Sequence, residues 1–247
     1  MIINKLNREI QEQNWISVLA DLFIVIIGLF SGLQADSWWQ EYQKSLQEKT
    51  YLVELQEDFL INQGLFETAL SESALVLGDM VSLLGQASLE SPALEVVVLD
   101  EQLSSLQSMP TFIPISRAYD NLTSTSDLSL LSSRELKNSL ADFYSFSKII
   151  ELVQSTHEMQ LVNTFQPYMA ANTEYARVMV SWQSEGEFEL PEAVEDSGIL
   201  DLFATREFRN VIVEKYYVTS DIRGLHQSIE EINTEILGLL KNEIENQ

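Results

Sequence analysis

The run Trp15–Leu33, WISVLADLFIVIIGLFSGL, holds 19 residues and one ionisable side chain, Asp21. Such a stretch is stable only where water is excluded, and a bilayer asks for about 20 apolar residues in one helix. Trp15 stands at one end and Trp38 with Trp39 at the other. At about 1.5 Å per residue they lie roughly 35 Å apart, which suits two interfacial tryptophan belts. The sequence therefore predicts a transmembrane helix over 15–38. Residues 1–14, with Ile3, Leu6 and Ile10 at helical spacing, are expected along the membrane surface, and residues 39–247 form the remaining domain. A cleaved signal peptide is the competing reading, with Leu33-Gln34-Ala35 as a loose cleavage site. Glu9, Glu12 and Asp21 favour a retained anchor.

One side of the span differs from the rest. At about 100° per residue, Ser17, Asp21, Gly28, Gly32 and Ala35 share a stripe. Gly28-x-x-x-Gly32 permits close approach of another helix, and a carboxyl group in hydrocarbon is stable only beside protein, water or a partner. The stripe predicts packing against an integral membrane partner or a second copy of the span. Orientation follows from charge: Lys5 and Arg8 precede the span, Lys44 and Lys49 follow it, and no further Lys or Arg occurs before Arg117. A translocated segment tolerates that depletion, so the N-terminus is expected in the cytoplasm and the C-terminal domain outside it.

Beyond the span the chain reads as all-α. It has only 9 Gly and 5 Pro, too few to punctuate many short strands. The expected class is one N-terminal transmembrane helix continuing into an antiparallel bundle of long helices. The first runs to about Gly85 on the stripe Leu52, Leu55, Phe59, Phe66, Leu70, Ala74, Leu77, Val81 and Leu84. Residues 88–115, with Pro92, Pro110 and Pro114, read as a crossover with one short helix. Ser132-Ser133-Arg134-Glu135 has capping-box spacing and opens a second long helix carrying Leu136, Leu140, Phe143, Ser147, Ile150, His157 and Leu161, with a break at Pro167 and a segment ending near Trp182. Residues 185–201 hold seven acids and no base and are expected as a solvated loop. The last helix has the strongest period: Phe208, Val211, Lys215, Val218, Ile222, Leu225, Ile229, Ile232, Ile236 and Leu239 alternate steps of three and four.

The chemistry the residues exclude is as informative. With 14 basic against 38 acidic side chains the net charge is −24, so nucleic acid would be repelled. Cysteine is absent, and His157 and His226 sit in no metal-ligand spacing. His157 falls on a core stripe, and His226 reads as a flank of the seam. No nucleophile elbow, phosphate loop or dinucleotide fingerprint occurs. No enzyme, cofactor or metal site is expected.

The residues Asp21-Leu-Phe-Ile-Val-Ile-Ile-Gly28 and Leu33-Gln34-Ala35-Asp36-Ser37-Trp38, followed by Leu52, Leu55 and Asp58, form a recurring pattern. It resembles a family of uncharacterised bacterial single-span membrane proteins that carry an acid, a Gly and an L-Q-x-N-x-W motif there. The resemblance continues at Ala118-Tyr119-Asp120-Asn121-Leu122-Thr123-Ser124-Thr125, at Leu128 and Leu130, and at Phe208-Arg209-Asn210. The chain departs from it with Asp21 for Glu, Asp36 for Asn and Ser126 for Gly. The resemblance implies a bacterial inner-membrane protein and no particular activity. Two functions fit the sequence: a non-catalytic, membrane-anchored interaction or accessory subunit, or an ion-coupled component that protonates and releases Asp21.

Overall fold

The computed structural model describes residues 15–179 and 197–246, with side chains from Leu22 onward. The segment 1–14, Trp182 and residues 185–196 of the expected acidic loop lie outside the described residues. What is described is helical, with no strand among the described residues. The long elements are α1 (Trp15–Gln86), α4 (Arg134–Gln160) and α8 (Arg206–Glu245). Between α1 and α4 lie α2 (Val96–Ser105), α3 (Arg117–Ser124) and a 3₁₀ turn at Asp127–Leu130. After α4 come a π turn (Leu161–Phe165), α5 (Gln166–Asn172), α6 (Tyr175–Val178) and α7 (Ile199–Phe203).

Helix α1 is one unbroken rod of 72 residues, about 108 Å long at the usual rise, because no proline interrupts it before Pro92. Its first buried side chain among those described is Glu48. From there a heptad seam runs through Leu52, Leu55, Phe59, Asn62, Phe66, Ala69, Ser73, Val76, Met80 and Leu83. The seam expected from apolar residues alone follows this one to Phe66 and then slips by one position. Leu70, Ala74, Leu77, Val81 and Leu84 are not in the core, because Asn62 and Ser73 carry the period through polar positions.

Helix α8 lies antiparallel to α1: Asn233 bonds Phe59, Gln63 bonds Glu230 and Arg223 bonds Leu70. It is also antiparallel to α4, through Ser139 to Glu235 and Gln154 to His226. Its buried seam is Phe208, Ile212, Lys215, Thr219, Ile222, His226, Ile229, Asn233, Ile236 and Leu240. Phe208, Lys215, Ile222, Ile229 and Ile236 stand where the period placed them. Val211, Val218, Leu225, Ile232 and Leu239 do not; each is a half-buried flank, and its successor takes the core position.

Two apolar cores result. One, nearer the N-terminal part of α1, joins Phe59, Phe66, Phe112, Leu122, Phe143 and Ile229. The other joins Met80, Leu83, Leu99, Leu103, Phe165 and Phe208. The level between them holds buried Ser73, Gln154, Thr219 and His226. Pro167 divides the second long helix as expected, and its missing amide is accommodated by the π turn just before α5. The loop expected through residue 201 ends earlier. Gly198, at φ +71°, lets the chain turn into α7, whose Ile199, Leu202 and Phe203 are buried.

Ser133, not Ser132, caps α4, its Oγ accepting from the Leu136 amide at 3.3 Å. Glu135 therefore falls one position short of a capping box. Ser132 is taken instead by Glu48, whose buried carboxylate accepts from its amide and, at 2.9 Å, from its hydroxyl.

Ser126 occupies the left-handed region at φ +64°. A Cβ is disfavoured there by about 1 kcal/mol, and glycine removes the clash. Ser126→Gly is expected to raise stability by about 0.5–1 kcal/mol, with Ser126→Ala showing no gain. Chemical denaturation of both variants checks this, and equal stabilities would show that the turn carries no strain.

Candidate functional site

The predicted site on the span consists of small residues and tryptophans. The side chains of Trp15, Ser17 and Asp21 lie outside the described ones. Gly28, Gly32 and Ala35 are exposed on one side of α1, and a Cβ placed on Gly28 or Gly32 would meet nothing within 4 Å. No close approach within the described chain requires either glycine. Around them every large apolar side chain from Leu22 to Leu33 is 41–66% exposed. Among the described residues this is the one helix long and apolar enough to cross a membrane. Trp38 and Trp39 both pack on Tyr42, with ring centroids 6.2 and 5.9 Å away, and remain exposed.

The rest of the candidate machinery is a set of buried polar side chains that grip the crossover between α2 and α4. Asn62 on α1 pairs with both backbone groups of Ile115: its Nδ2 donates to the carbonyl at 3.1 Å and its Oδ1 accepts from the amide at 2.7 Å. Gln154 on α4 does the same for Phe112, accepting from its amide at 2.8 Å and donating to its carbonyl at 3.1 Å. Lys215 on α8 donates to the Ser108 carbonyl at 3.0 Å and lies over the Phe165 ring. Each long helix thus supplies a polar hand to one extended strap. A backbone without secondary structure keeps its amides satisfied in a core only through such partners.

Asp58 anchors the far end of the strap. Its carboxylate accepts from Arg117 Nε and Nη2 at 3.0 and 2.7 Å and from the Ala118 amide at 2.9 Å. The sequence segments around Asp58 and Ala118–Thr125 therefore meet in space, and Tyr51 adds a second bridge to Asp127 at 2.9 Å.

His226, read from sequence as a flank, is fully buried. The amide oxygen of Gln154 can only accept, so His226 Nε2 donates to it at 3.1 Å and the neutral tautomer carries its proton there. His226 Nδ1 has no partner among the described residues. Burial pushes the ring down to about 4 and lowers the Lys215 ammonium to about 8. His157 is half-buried on its predicted stripe, and burial lowers it too.

Apolar periodicity could not find Glu48, Asp58, Asn62, Gln154 or Asn233, since it skips polar residues. For all but Asp58, which lies beside the seam, the usable signal was the strict alternation of three and four continuing across them. Beside the strap, a groove of about 810 Å³ opens between α4 and the chain segment Met109–Thr123. Among the described residues no group of three or more His, Cys, Asp or Glu is placed to hold a metal ion. No family model, curated protein or solved structure matches this chain.

Proposed function

We propose that the chain is a non-catalytic, membrane-anchored interaction or accessory subunit. In this reading α1 crosses the bacterial inner membrane with its N-terminus in the cytoplasm and holds the helical bundle in the periplasm. The face bearing Gly28, Gly32 and Ala35 docks on an integral membrane protein or on a second copy. The observation that supports it is the exposure of every large apolar side chain from Leu22 to Leu33, a surface that none of the described residues covers. Lipid covers such a surface, and where the side chains are small a second helix covers it better.

Purification in a mild, non-glycosidic detergent tests the docking. The wild type is expected to carry a membrane companion or a second copy at fixed stoichiometry, and Gly28→Leu and Gly32→Leu to lose it while the domain stays folded. Retention of the companion by both variants would sink the docking face. Asp21→Asn is expected to keep the complex, since an amide replaces a carboxyl between helices at a change of about 1–2 kcal/mol. The ion-coupled alternative rests on that one acid in the apolar run. It requires Asp21→Asn to reproduce the phenotype of a deletion with the complex intact.

A further inference from the structure

We propose that the groove between α4 and the Met109–Thr123 segment binds a linear oligosaccharide. Its volume of about 810 Å³ lies within the usual range of ligand clefts, roughly 300–1,000 Å³. Its wall on α4 runs from Ala141 to Glu158, about 25 Å along the helix axis. The floor is already fixed: Gln154 holds both backbone groups of Phe112, and the Tyr144 hydroxyl donates to the Ile115 carbonyl at 3.4 Å. A ligand entering it orders nothing that the fold has not ordered.

The chemistry of the lining selects the ligand. Along one side of α4, Ser145, Lys148, Glu151, Ser155 and Glu158 border the groove, and their side chains make no hydrogen bond or ion pair with the described residues. They are spaced three or four residues apart, about 4.5–6 Å of helix axis, comparable with the repeat of a chain of pyranose rings. Thr111 adds a free hydroxyl from the opposite wall. The charges are mixed, an ammonium standing beside carboxylates. A polycation would meet Lys148, and a polyanion would meet Glu151, Glu158 and, on the facing segment, Asp120. A neutral polyol fits all of them, because sugar hydroxyls accept from the ammonium and donate to the carboxylates. At one end Tyr119 lies flat on Tyr144, centroids 4.1 Å apart and planes 16° apart, and Tyr119 is partly exposed to the groove. An aromatic face of this kind packs on the C–H side of a sugar ring.

The inference does not depend on how α1 meets the membrane. Its test is an array of defined linear oligosaccharides probed with the full chain in lipid nanodiscs, followed by calorimetric titration of the best binder. At least one glycan is expected to bind saturably. Glu151→Gln and Tyr119→Ala are each expected to weaken it about tenfold. Ser155→Arg, at an exposed position, is expected to block the groove without touching the core. The charge-matched control Glu231→Gln should change nothing, and circular dichroism confirms that each variant is folded. Absence of saturable binding across the array would overturn the proposal. So would binding that survives both Glu151→Gln and Ser155→Arg, or tetralysine binding with the dependence expected of the glycan.

Discussion

Ile229→Ala is expected to lower the stability of the helical domain by about 2–5 kcal/mol, whereas Ile232→Ala, three residues on, costs about 1 kcal/mol. The two side chains are chemically identical and sit on the same helix. Ile229 is fully buried among Phe59, Phe66 and Phe143, while Ile232 is only half-buried at the edge of that cluster. Truncating the first opens a cavity that rigid aromatic rings cannot close. Truncating the second removes a surface that water already touches. Denaturant melts of the two variants measure the difference directly, and equal losses would mean that the seam of α8 has the other phase.

The second large effect is acid lability centred on His226. Its ring titrates near 4 in the folded chain and near 6.5 when unfolded. Between those values the unfolded chain takes up a proton that the folded chain refuses. Stability therefore falls as the pH drops from 6.5 toward 4, by about 3 kcal/mol from this one group, and the group contributes no pH dependence above 6.5. The direction follows from geometry: Nε2 already donates to Gln154, and a second proton on Nδ1 would find no acceptor. His226→Gln keeps a donor toward Gln154 and cannot take the charge. The stability difference between wild type and variant should shift across this window and be flat above it. Carboxylate titrations common to both proteins cancel in that difference. A constant difference from pH 7 to pH 4 would show that the ring is protonated or hydrated in the folded state.

Much of the helical class was legible in the sequence, and the reason is local. Proline-free runs with a sustained period of 3.5 leave a chain few alternatives to long helices; α1 ends and α4 begins close to the expected positions, and α8 spans the whole expected stripe from Phe208 to Leu239. The interior was less legible because residues three and four positions apart are both neighbours on a helix. Choosing the more apolar of two adjacent candidates selected Val218 over Thr219, Leu225 over His226 and Ile232 over Asn233. The fold makes the opposite choice at each. Asn233 donates to the Phe59 carbonyl at 3.2 Å and to Gln63 at 3.0 Å, and His226 donates to Gln154, so partners distant in sequence make the polar side chain the better core residue. A single helix read alone does not contain those partners.

The strap illustrates the same limit from the other side. Pro110 and Pro114 marked it as irregular, which it is, but nothing local indicated that Asn62 and Gln154 would each pair with a whole peptide unit of it. Such amide pairs resemble one rung of a β-ladder built by side chains. They hold an extended segment without another strand. Register between the long helices is fixed as a consequence, since a shift by one heptad would strand each amide without its partner.

The membrane-anchored arrangement is tested most directly by cysteine accessibility, for which the chain is suited because it contains no cysteine. Single cysteines placed in turn from Leu22 to Leu46, and one at exposed Ser145, are treated with a membrane-impermeant maleimide in cells whose outer membrane has been permeabilised. The account predicts protection from Leu22 to Leu33, reactivity beyond Glu41 and full reactivity at Ser145. Uniform labelling along Leu22–Leu33, or a Ser145 site that reacts only after the inner membrane is broken, would contradict it.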